Sequence, residues 1–89
     1  MYRRTVTIQN QTGLHARPAS DFVRCASGFK SRITIGRTGS EERANAKSLV
    51  MLLTLALVQG TEVEIEAKGE DETAAVDALV ALIESGLGE

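Results

Sequence analysis

The segment Thr12 to Ser20, TGLHARPAS, holds the only histidine and the only proline of the chain. His15 offers a ring nitrogen that can act as a nucleophile, and Arg17 offers a fixed cation whose planar fork matches phosphate oxygens. Pro18 suits the first turn of a helix, where its missing N–H would have had no partner in any case. With His15 as N-cap and Ala16 opening the helix, the amides of Ala16 and Arg17 point outward with the positive end of the helix dipole behind them. Such a helix start is an anion site. The same positive surroundings disfavour a protonated imidazole, so His15 is expected to be neutral near pH 7 and nucleophilic. A phosphoryl group on that nitrogen would lie over the free amides and Arg17, and its onward transfer would depend mainly on positioning and charge stabilisation.

The residues alone leave a plainer alternative open, in which His15 is only a polar cap. A metal site is disfavoured, because the chain has one histidine and one cysteine and zinc sites need three or four such ligands. No feature of the sequence calls for a cofactor.

The rest of the chain must position this segment. Its 89 residues, with 43% hydrophobic side chains and 10 basic against 12 acidic groups, suit one small domain over 1–89. The net charge of -2 and the three aromatics Tyr2, Phe22 and Phe29 argue against nucleic-acid binding, which favours a basic surface and stacking rings. Cys25, within FVRCASGF, reads as packing. No apolar stretch follows MYRRTVTIQ, so no signal peptide is expected. The run Leu49 to Val58, broken by Thr54, is shorter than the roughly 20 residues of a membrane span. A soluble, cytoplasmic monomer is the expectation.

RRTVTIQN alternates, with Val6 and Ile8 on one face and Thr5 and Thr7 on the other, as a half-buried strand does. Ala16, Ala19, Phe22, Val23 and Ala26 then recur at helical spacing until Gly28. SRITIGR is a second strand through Ile33 and Ile35, and GRTGSEER is a turn leading to a short edge strand. LVMLLTLAL fits either a short helix or a buried strand on periodicity; a two-turn helix capped by Ser48 is preferred, because serine favours that place and Leu, Met and Ala are good helix formers. TEVEIEA is the clearest strand, with Val63, Ile65 and Ala67 inward and Glu62, Glu64 and Glu66 outward. The acidic run EDE suits the start of a last helix, whose stripe is Ala75, Val76, Leu79, Leu82 and Ile83, ending at Gly86. The result is an α+β open-faced β-sandwich of order βαββαβα. Three helices cover one face of a four-stranded antiparallel sheet, and water covers the other.

The two-turn helix can bury only one stripe. With Leu52 and Leu55 inward, Leu49, Val50 and Leu53 face outward as a candidate docking patch, to which Ser20 of the first helix is assigned. A fully buried helix is the alternative.

GLHARPAS, the later NAKS before an apolar helix, and QGTEVEIEAKGEDE resemble, in this order, motifs of the histidine-containing phosphocarrier (HPr) family of the bacterial phosphotransferase system. The resemblance covers the whole chain. It implies the same fold of four antiparallel strands and three helices, and a carrier instead of an enzyme. By position it implies that His15 takes a phosphoryl group from phosphoenolpyruvate-charged enzyme I and gives it to enzyme II A domains. Arg17 is implied as the partner of that phosphate, and Ser48 as the serine that HPr kinase/phosphorylase modifies in many members. The patch on the two-turn helix matches the surface shared by enzyme I and enzyme II domains, and a phosphate on Ser48 would place negative charge beside it. GRTGSEERA is about two residues longer than the resemblance leads one to expect, and LVMLL lacks a polar break, which leaves the preferred partner open. A regulatory carrier in a nitrogen-related or incomplete branch is the main alternative. A small phosphatase of acylphosphatase type is a more distant one.

Overall fold

In the computed structural model, residues 1–87 are described, so the last two positions of the expected span 1–89 lie outside the described residues. The alternating segments form β1 (Tyr2–Thr7), β2 (Arg32–Arg37), β3 (Ala44–Asn45) and β4 (Glu62–Lys68), and the periodic ones form α1 (Ala16–Ser27), α2 (Leu49–Thr54) and α3 (Glu72–Glu84). The sheet is antiparallel throughout, in the order β1-β4-β2-β3. Because β4 is central, its register sets that of its neighbours: Val63 lies opposite Val6, and Ile65 lies opposite both Arg4 and Ile35. Val6, Ile33, Ile35, Val63, Ile65 and Ala67 are buried on the inner face, where burial contributes about 25 cal/mol per Å² of apolar surface. α3 packs across β1, β4 and β2, while α1 and α2 complete the same layer.

The other face is polar, as the alternation requires. Arg43 pairs with Glu64 at 3.0 Å and donates to Thr34 Oγ1 at 3.1 Å; Arg3 lies 3.8 Å from Glu66. The long turn from Gly36 to Arg43 folds back on itself. Ser40 N–H donates to Arg37 O at 3.0 Å, and the Glu42 carbonyl lies where a side chain on Gly36 would otherwise sit. After it β3 has two paired residues, Asn45 opposite Thr34 and Ala44 opposite Ile35.

The helical stripes depart from the periodic expectation at their ends. In α1 the buried residues are Pro18, Ala19, Phe22 and Ala26, whereas Val23 is half-buried and Ala16 exposed. In α3, Val80 is buried and Leu82 only half-buried, because residue 82 falls at the margin of a stripe centred on Ala75, Leu79 and Ile83. Asp71 and Glu72 fix the start of α3. The Asp71 carboxylate accepts from Lys30 N–H at 2.8 Å, from Ser31 N–H at 2.9 Å and from the Ser31 hydroxyl. These bonds, the Ser31 hydroxyl foremost, hold its pKa down at about 2.

Candidate functional site

The approach to α1 is a β-turn. Gly13 N–H donates to Asn10 O at 3.1 Å, with asparagine first and glycine fourth, as type I turns favour. Asn10 is 4% exposed, and its amide donates to Gly13 O at 2.7 Å and to Thr12 Oγ1 at 3.3 Å. Leu14 N–H then donates to Leu57 O at 2.8 Å. Gly13 has φ +70, and a Cβ there would collide with that same Leu57 carbonyl, so glycine is required on both counts. Two distant segments, 10–14 and 56–58, are thereby locked together, and the position of His15 follows from that contact.

His15 is the N-cap of α1, extended at φ -140, ψ 151, and its side chain makes no capping hydrogen bond. It is exposed, as are Ala16 and Arg17. The first turn contains no acidic residue, and among the described residues no ion pair involves His15 or Arg17. The helix start is thus open to an anion, with Arg17 adding charge in the same turn.

Ala16 departs from the sequence expectation. It heads α1 in a left-handed conformation, φ +51, not a helical one. Such a backbone costs an L-residue about 1–2 kcal/mol and persists only where its surroundings enforce it; the hydrogen-bonded turn of residues 10–14 precedes it directly. Ala56, across the cleft, is also left-handed at φ +50. His15, Thr12, Leu14, Leu53, Ala56 and Val58 line a cavity of about 380 Å³, so the imidazole stands at the rim of an apolar hollow.

At the start of α2, whose Leu53 lines this hollow, Ser48 caps the helix, its hydroxyl accepting from Met51 N–H at 3.3 Å. Leu52 and Leu55 are buried, as the stripe argument requires. Leu49 is 37% and Val50 73% exposed. Leu53 is a correction: it is half-buried and packed against the core, because it turns toward the His15 cavity instead of outward. Ser20, one turn into α1, is half-buried. Met51 and Val58, 44% and 60% exposed, extend the apolar patch and were not singled out by spacing, which cannot rank neighbours in an unbroken apolar run. Asn10 was also missed, although Asn-x-x-Gly is a legible turn signal. Cys25 is half-buried on α1, and burial raises its thiol pKa.

An open-faced antiparallel sandwich with an anion-ready helix start on its surface is the build of a phosphocarrier. A family model described as "PTS HPr component phosphorylation site" matches residues 2–85, and the chain belongs to this family of phosphotransferase-system phosphocarriers. It is 53% identical over 83 residues to phosphocarrier protein HPr of Haemophilus influenzae, covering 93% of this chain and 95% of that protein. It is 43% identical over 88 residues to phosphocarrier protein NPr of Proteus mirabilis, covering 99% and 96%. A crystal structure of an HPr from Thermoanaerobacter tengcongensis matches with a TM-score of 0.93 at 46% identity, covering 100% of this chain and 98% of that one. Among the described residues no helix is long and apolar enough to cross a membrane.

Proposed function

We propose that His15 accepts a phosphoryl group from phospho-enzyme I and passes it to the A domains of sugar-specific enzymes II. The chain then acts as a single monomeric domain, consumed and regenerated in each transfer and not itself an enzyme. An imidazole nitrogen forms the N–P bond as the donor's bond to phosphorus breaks, and the reverse exchange occurs on the acceptor. Arg17 and the amides of Ala16 and Arg17 hold the phosphate oxygens during both steps. The observation that carries this reading is the exposed N-cap imidazole of α1, with no capping bond and no acidic residue in the first turn.

Leu49, Val50 and Met51, exposed on α2, supply an apolar docking surface for these partners, with Leu53 lining the His15 hollow and Ser20 on the neighbouring helix. Ser48 is the regulatory position: a phosphate added there by an HPr kinase/phosphorylase puts negative charge at the edge of that surface and weakens docking.

Incubation with enzyme I, phosphoenolpyruvate and Mg²⁺, followed by intact mass and acid treatment, tests the reading. The expected product carries one acid-labile phosphate, absent in His15→Ala. An unchanged mass under conditions that charge a control carrier would contradict it. The similarity to an NPr supports a second reading, a regulatory carrier of a nitrogen-related branch. Transfer from the charged protein to a nitrogen-type A domain, with none to a sugar-type domain, would establish that branch instead.

A further inference from the structure

At the end of the sheet far from His15, four cationic side chains gather. β4 begins beside the His15 loop, where Ile8 N–H donates to Thr61 O at 2.9 Å, and its 7 residues carry it roughly 20 Å to Lys68. A groove of about 660 Å³ opens there, lined by Lys30, Arg32, Lys47 and Lys68 with Ser31 and Asn45 between them. Among the described residues none of the four cations is in an ion pair. Lys47 gives one hydrogen bond to Phe29 O at 2.6 Å. No carboxylate lines the groove. The acids of adjoining segments have partners of their own: Asp71 accepts from Lys30 N–H and Ser31 at the groove's edge, Glu66 pairs with Arg3, and Glu72 pairs with the N-terminal ammonium, with the Lys68 charge also acting on it. Glu70, on the turn after β4, is exposed.

The strand register supplies an independent argument. Arg32 lies directly opposite Lys68 across the β2–β4 ladder. Side chains so placed have Cβ atoms about 4.5–5.5 Å apart, and like charges there destabilise the pair. Elsewhere on this face the sheet sets opposite charges together, Arg3 with Glu66 and Arg43 with Glu64. A chain of net charge -2 has acids to spare for this position, yet places two cations face to face at the mouth of a groove. An anion between them turns a repulsive pair into two attractive contacts.

We propose that this groove binds a linear polyphosphate, either the triphosphate of a nucleotide or inorganic tripolyphosphate. Its volume is that of a small-molecule site. The Arg32 guanidinium grips one phosphate through paired hydrogen bonds, and the three ammonium groups neutralise the others as point charges. A single phosphate or carboxylate would leave most of the cations unmatched. The site is separate from His15, so its occupancy and phosphoryl transfer are read independently.

The test is calorimetric titration of the whole protein at 0.15 M salt, with ¹⁵N amide shifts recorded in parallel. The probes are tripolyphosphate, ATP, adenosine and an oligoglutamate peptide. The expected result is saturable binding of tripolyphosphate and ATP, none of adenosine, and shifts centred on Arg32, Asn45, Lys47 and Lys68. Tighter binding of ATP than of tripolyphosphate identifies a nucleotide as the source, and the reverse order identifies inorganic polyphosphate. Arg32→Gln and Lys68→Gln each weaken binding about tenfold. Each also raises the melting temperature of the ligand-free protein by removing the like-charge pair, and His15 continues to be charged at the wild-type rate. Undiminished affinity in the double variant, or shifts centred on Ala16 and Arg17, would overturn the proposal. So would tighter binding of oligoglutamate than of either phosphate compound, which would assign the groove to an acidic protein segment.

Discussion

α1 and α3 begin in opposite ways. At α3, Glu72 Oε1 accepts from the Gly69 amide at 3.1 Å, its other oxygen pairs with the N-terminal ammonium at 2.8 Å, and Asp71 ties the N-cap to the α1–β2 connection. Both carboxylates are held below their ordinary pKa, so they stay charged where the helix dipole favours negative charge. At α1 no acid stands in the first turn, the N-cap side chain makes no bond, and the next residue is bent into the left-handed region. Neither N-cap side chain caps its own helix; the difference is that α3 carries carboxylates at its start, Asp71 and Glu72, whereas the first turn of α1 has none and is left for an anion from outside. The protein is self-sufficient where it needs only stability and incomplete where the phosphoryl group is proposed to sit.

The contrast can be broken most severely at the contact that shapes the α1 approach. Gly13→Ala combines a collision with Leu57 O and a strained φ, and is expected to remove roughly 2–4 kcal/mol in urea unfolding. Gly60→Ala, at φ +87 with open space around it, carries the backbone strain alone and is expected to remove about 1 kcal/mol. Equal losses would show that the close approach does not hold the loop. Next, Arg17→Ala should slow charging by enzyme I roughly 10- to 100-fold while leaving the urea midpoint unchanged. Glu72→Gln, at the opposite helix start, should lower the melting temperature and leave charging unchanged. Ser48→Ala removes the cap of α2 and is expected to cost about 1 kcal/mol. The smallest effect is a pH dependence. Asp71 titrates at about 2 in the folded chain, against 3.8 unperturbed. Its stabilisation is therefore complete above about pH 4 and fades as pH falls toward 2. The gap in melting temperature between wild type and Asp71→Asn should narrow over that window; a constant gap would mean that the carboxylate's charge is not what ties α3 down.

What was legible in the sequence was what local pattern encodes. Thr-Gly-Leu-His-Ala-Arg-Pro marked the start of α1, Ser48 announced the α2 cap, and the alternation of Glu62 to Lys68 placed the central strand with the correct face inward. What local pattern does not encode was not legible. Ala16 has no reason in its residue type to be left-handed, a conformation that L-residues other than Asn and Asp rarely adopt. Leu53 could not be assigned a direction within LVMLL, because an unbroken apolar run fits more than one helical face. Asp71 looked like a local dipole partner, yet its main bonds go to Lys30 and Ser31 on another element. The pairing of Arg32 with Lys68 needed the β2–β4 register, which neither strand specifies alone.

The most direct measurement is the amide spectrum of ¹⁵N-labelled protein before and after charging with enzyme I and phosphoenolpyruvate. If the open start of α1 holds the phosphoryl group, the Ala16 and Arg17 amide protons move strongly downfield, while those of Met51, which donates to Ser48 Oγ, and Glu72, which donates to Gly69 O, stay in place. A charged protein in which the Ala16 and Arg17 signals do not move would contradict the central claim.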